Sequence, residues 1–109
     1  MSNQQVQLNI RFKVKPGKKE EFHRELYSLI EEMSSEKAFI SAIVSDDLDQ
    51  PDDLIIYETW QGTRDRWLAE EFIKPYRKDY ERTLGDFIVD RSVSWLQPKG
   101  EWGSHITNA

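Results

Sequence analysis

The chain of 109 residues carries 15 Lys and Arg against 20 Asp and Glu, a formal net charge of −5, and no cysteine. The length fits one domain. The acidic balance argues against nucleic acid, whose phosphates are neutralised by Lys and Arg. The lack of cysteine excludes disulfides, thiolate ligands, iron–sulfur clusters and a Cys nucleophile.

Hydrophobic residues make up 38% and charged residues 32% of the chain, so oligomerisation is the expected supplement to a modest core. No apolar run approaches the roughly 20 residues of a membrane helix. Met1-Ser2-Asn3-Gln4-Gln5 lacks the basic and apolar regions of a signal peptide. A cytoplasmic protein without membrane or nucleic-acid partners is expected.

Val6, Leu8, Ile10, Phe12 and Val14 alternate with Gln7, Asn9, Arg11 and Lys13, which predicts a first strand. Pro16-Gly17 ends it. Phe22, Leu26, Leu29, Ile30 and Met33 then form one stripe of an amphipathic helix, which Ser34-Ser35 breaks. A second strand is expected over Phe39–Ser45, with Ile40, Ala42 and Val44 on one face. Asp46 to Asp53, with Pro51, reads as an acidic turn, and Leu54–Trp60 as a third strand that closes a hairpin.

Gln61-Gly62-Thr63 turns the chain into a second helix with Thr63 as N-cap. Leu68, Phe72, Tyr76, Tyr80 and Leu84 are spaced by four. Pro75 lacks an N–H and disfavours the helical region for Lys74, so two short helices or a kink are expected. Phe87, Val89, Arg91, Val93 and Trp95 alternate with polar residues in a fourth strand.

The expected division is one domain over 1–97 and a polar tail over 98–109, with Trp102 as the tail's aromatic. The element order is that of an α+β, ferredoxin-like βαββαβ fold: a four-stranded antiparallel sheet with two helical segments on one face. The second sheet face is left for solvent or for a second copy of the chain.

One residue stands out against this pattern. Leu54, Ile56, Glu58 and Trp60 share a strand face, and three of the four belong in a core. A buried carboxylate finds hydrogen-bond partners or takes a raised pKa. Glu58 is thus a candidate general base, or a structural carboxylate paired with Arg11, Arg91 or a backbone N–H.

Phe12-Lys13-Val14-Lys15-Pro16-Gly17-Lys18, Ile56-Tyr57-Glu58-Thr59-Trp60 and the helix stretch Trp67-Leu68-Ala69 leading to Pro75 occur in this order and at this spacing. With them, residues 6 to 96 resemble the antibiotic biosynthesis monooxygenase domain family. The resemblance implies a homodimer whose two sheets pack into an α+β barrel, and a pocket between sheet and helices in each subunit. It implies oxygenation of a small phenolic or quinol compound by O2 with neither metal nor flavin, so no cofactor. Relatives carry a histidine in the stretch that reads Trp67-Leu68-Ala69-Glu70 here, which makes Glu70 a second catalytic candidate beside Glu58. A haem-degrading branch uses a helix histidine and a first-strand asparagine. The second helix has no histidine, and Asn9 lies on the polar face with Gln7 and Arg11, so haem degradation is disfavoured.

Trp60, Trp67, Phe72, Tyr76 and Tyr80 are the candidates to line a pocket for an aromatic ring, against the alternative of ordinary core packing. A non-catalytic dimer that binds a small aromatic molecule is the competing functional reading. His23 and His105 are too few and too distant for a transition-metal site. Asp46, Asp47, Asp49, Asp52 and Asp53 lack the glycine and terminal glutamate of a calcium loop, and Lys13, Lys15, Lys18 and Lys19 read as a solvated strand end.

Overall fold

The structure is a computed structural model that describes residues 4–103, so His105 lies outside the described residues. Strand β1 (Gln5–Val14) leads to helix α1 (Lys19–Met33), then to the hairpin of β2 (Phe39–Asp47) and β3 (Gln50–Gln61). Two short helices, α2 (Arg64–Glu70) and α3 (Pro75–Leu84), precede β4 (Ile88–Leu96). The sheet has four strands in the order β2-β3-β1-β4, every neighbour antiparallel. This is the ferredoxin-like α+β arrangement that the element order implies.

Period-two patterning places the core. Val6, Leu8, Phe12 and Val14 of β1 and Leu54, Ile56 and Trp60 of β3 are buried under the helices. The α1 stripe of Phe22, Leu26, Leu29 and Met33 seals that face. Phe12 meets Phe22 edge-on at a centroid distance of 4.9 Å, a geometry that adds about 0.5–1.5 kcal/mol beyond burial.

Three local expectations are corrected. The acidic turn over 46–53 is much shorter, because β3 begins at Gln50. The Asp47 carboxylate accepts the Asp49 N–H at 2.9 Å and folds the tip, and Arg11 then holds both Asp47 and Asp53. In β2, a register shift between Phe39 and Ser41 turns Ile40 outward, 39% exposed, and puts Phe39 on Trp60 instead.

In β4, the shift at Lys13/Val14 seats Ile88 against Val14 and leaves Val89 exposed. The two short helices expected from Pro75 are present, and with that break Leu68, Phe72 and Tyr76 do not share one face. The chain breaks between α2 and α3, so Leu68 and Phe72 stay 41% and 50% exposed while Trp67, Arg77 and Leu84 are buried.

Candidate functional site

The register ranks side chains across the sheet floor. Leu8 of β1 faces Glu58 on one side and Trp95 on the other. Ile10 lies between Ile56 and Val93 in the next row. The β3 side of this floor is roofed and dry, with Ile56, Glu58 and Trp60 buried. The β1–β4 side opens into a cleft of about 170 Å³, where Leu8, Ile10 and Val93 form the floor. Trp67 and Trp95 stand against it, Leu68 and Phe72 of the α2–α3 joint overhang it, and Arg77, Glu81 and Arg91 supply its charges.

Local sequence explains how α2 and α3 reach this position. Gly62 turns the chain with φ 95°, a region that favours glycine. The Thr63 side chain accepts the Arg66 N–H at 3.1 Å and starts α2. The helix ends in a tight turn, and Pro75 at the first position of α3 restarts the chain in a new direction. That change of direction exposes the cleft between α2, α3 and β4.

The polar groups beside the cleft are buried and under-partnered. Glu58 is almost fully buried and accepts one hydrogen bond, from the Trp60 indole Nε1 at 2.9 Å. Burial pushes its carboxyl above the ordinary range, against the smaller opposing pull of Arg77 and the Trp60 bond. Arg77 is 7% exposed, and its guanidinium lies over the Trp67 ring at 4.6 Å and near that of Trp60 at 6.0 Å. Its Nε and Nη2 have no hydrogen-bond partner, nor do the Trp67 Nε1 and the Tyr80 hydroxyl. Burial also pushes the Tyr80 hydroxyl well up, which keeps it protonated. On the cleft rim, Arg91 pairs with Glu81 at 2.7 Å.

The profile of the antibiotic biosynthesis monooxygenase family matches residues 6–71, well over half of the chain. The chain belongs to this family. Among solved structures it is similar to a conserved protein from Methanosarcina mazei Go1, with 23% identity and a TM-score of 0.79 over 89% of this chain and 95% of that one. A second likeness is to Rv0793 from Mycobacterium tuberculosis, with 20% identity and a TM-score of 0.79 over 91% and 99% of the two chains. A third is to a Nitrosomonas europaea protein that carries the monooxygenase family's name provisionally, with 17% identity and a TM-score of 0.79 over 90% and 93%. At these identities the likeness is one of fold. No curated protein matches the chain.

The structure separates the candidate residues of this monooxygenase-family member. Trp67 and Phe72 border the cleft. Trp60 does not, being a core residue under Phe39 and Trp67. Tyr76 donates to Glu36 at 2.9 Å, and with Tyr80 it borders a different depression, between α1 and α3. That depression has an open rim of Glu25, Glu32, Asp79 and Arg82, the chemistry of a solvated groove. Burial and the Glu36 bond push the Tyr76 hydroxyl up, while Lys74 and Tyr76 together hold the Glu36 carboxyl low.

Glu58 is one strand inward of the cleft wall, paired with neither Arg11 nor Arg91. Glu70 points to solvent, 64% exposed at its side chain, and pairs with Arg66. Its neighbour Glu71 is the buried carboxylate of α2 and also pairs with Arg66.

Arg77, Trp95 and Glu81 are the site residues that sequence reasoning passed over, while Arg91, considered there as a partner of Glu58, pairs with Glu81 instead. A signal for Arg77 existed: counted back from Leu84, the helical stripe through Tyr80 next reaches position 77. Among the described residues, no group of His, Asp and Glu is placed to hold a metal ion, and no helix is long and apolar enough to cross a membrane.

Proposed function

We propose that this chain is a monooxygenase that uses O2 to oxygenate a small phenolic or quinol compound, with neither metal nor flavin, and that it works as a homodimer. The observation that carries this reading is an apolar, aromatic-walled cleft whose wall includes the buried, unpaired Arg77, with Glu58 behind it. A ring enters between Trp67, Phe72 and Trp95. The positive charge of Arg77 favours the ionised form of its hydroxyl.

Glu58, whose pKa burial raises above the ordinary carboxylate range, is the carboxyl we assign to take the proton. The exposed Glu70 takes no part. The substrate anion supplies the electrons. O2 adds at an activated ring C–H carbon as a peroxide, which loses water, so that the ring C–H, the hydroxyl O–H and O2 become two C=O groups and H2O. The dry walls protect the anion and the peroxide from solvent.

The test is oxygen uptake by purified protein with a panel of hydroquinones and anthrone-like phenols. Uptake of one O2 per ring oxidised is expected, with a loss of about a hundredfold in Glu58→Gln, the scale of one general base. No uptake with any panel member sinks the proposal. The second reading, a dimer that binds an aromatic molecule without turnover, draws on the fact that Glu58 does not itself border the cleft. It predicts a rise in melting temperature with ligand and no oxygen consumption.

A further inference from the structure

We infer that the cleft selects a ring that carries a carboxylate, so that the substrate class is an aromatic acid with Arg77 as its anchor. This deepens the reading above and rests on the cleft being the ligand site. The charge at the cleft has one sign in excess. Arg91 is neutralised by Glu81 at 2.7 Å, whereas Arg77 forms no ion pair and leaves Nε and Nη2 without partners at 7% exposure.

Glu58 and Glu36 feel its charge, but neither forms an ion pair with it: Glu58 accepts from the Trp60 indole and Glu36 is held by Lys74 and Tyr76. A buried cation in this state is costly until an anion arrives. In a protein of net charge −5, a buried guanidinium with no ion-pair partner on the wall of an apolar cleft favours an anionic ligand.

The two free donors also specify the anion's shape. Nε–H and Nη2–H lie on one edge of the planar guanidinium and point the same way, the fork that receives both oxygens of a carboxylate. Both are shielded from water while the guanidinium rests over the face of Trp67 at 4.6 Å, so the anchor requires Arg77 to shift toward the cleft when the ligand binds. The remaining walls, Leu8, Ile10, Phe72, Val93 and Trp95, fit a flat apolar body. Arg77 and Trp95 lie beyond residue 71, where the family match ends, so this anchor belongs to the part of the chain outside that match.

Isothermal calorimetry with 2-naphthoate and its neutral counterpart 2-naphthylmethanol tests the inference, because neither compound is a quinol and binding is read without turnover. The wild type is expected to bind the acid at least about tenfold more tightly than the alcohol. Arg77→Met is expected to bring the two within about twofold while the alcohol's affinity stays put. Arg77→Lys, which keeps the charge without the fork, is expected to retain part of the preference.

Equal or tighter binding of the alcohol by wild type overturns the inference, as does failure of both compounds to bind at millimolar concentration. The wild-type comparison stands even if a variant fails to fold. Preference for the acid without oxygen uptake from any phenol overturns the monooxygenase reading alone. Uptake with neutral quinols and no preference for acids overturns the anchor alone.

Discussion

Glu58 accepts a hydrogen bond from a side chain two positions along its own strand, and it is almost fully buried. Its folded pKa lies above the unfolded value of 4.5 because burial disfavours the charge. The folded state therefore binds more protons than the unfolded state once pH exceeds that value. Stability from this residue is complete at lower pH and is lost as pH rises toward the folded pKa. Glu36 and Asp47, whose pKa values are lowered by their partners, act in the opposite sense and lose stability as pH falls.

Denaturant melts across pH should therefore show Glu58→Gln gaining on the wild type as pH rises. A constant difference would contradict the raised pKa. Glu58→Ala should be less stable than Glu58→Gln, by about 1–3 kcal/mol for a buried indole N–H left without an acceptor. The anomaly of this residue is visible in its strand pattern. Its partner is not, because an indole donor two residues away reads as one more core aromatic. Glu71 was masked by Glu70 for a related reason: helix phase assigns one of two adjacent acids to the interior only once the helix ends are known.

At the scale of elements, α2 is seven residues long and depends on its entry. Thr63→Ala removes the side-chain acceptor of the Arg66 N–H and should cost about 1 kcal/mol, with most of it restored in Thr63→Ser, as read by chemical denaturation. Gly62→Ala should cost a further 1–2 kcal/mol or thereabouts for a left-handed backbone, and its new methyl would meet the Arg66 side chain 2.7 Å away. Both changes tilt the helix that carries Trp67, so the cleft should lose ligand affinity together with stability.

Strand and helix identities were legible in advance, because periods of two and of four residues are strong signals. The register shifts in β2 and β4 were not. A bulge is a pairing event between two strands, and neither strand's own pattern announces it. The gap between α2 and α3 was signalled by Pro75. The cleft it opens depends on the angle between the helices, which depends on packing.

At the scale of the molecule, three helical segments cover one face of the sheet and leave the other to Gln7, Asn9 and Arg11 with Ile43, Ile55 and Tyr57 among them. Ile43 of β2 lies opposite Tyr57 of β3 and is 38% exposed. We expect sedimentation at micromolar concentration to give a dimer through this face, and Ile43→Arg to weaken it by at least about a hundredfold through a buried unpaired charge. A wild-type monomer would defeat that expectation.

The topology followed from element order because few connections satisfy six elements of these lengths. The cleft's charges did not, since they come from α3 and β4, consecutive elements whose side chains meet only once the helix has packed on the sheet.

One feature of the interior has an optical consequence. Trp60, Trp67 and Trp95 form a continuous series, with ring centroids 6.2 Å and 5.3 Å apart and planes crossed at 78° and 74°. Trp102 stands outside it, 87% exposed. Indoles so close exchange excitation, so light absorbed by any one of the three is shared along the series. A quencher seated in the cleft beside Trp67 and Trp95 would darken all three at once, and the residual emission would be that of Trp102 in water. The protein thereby carries its own gauge of whether the cleft is full.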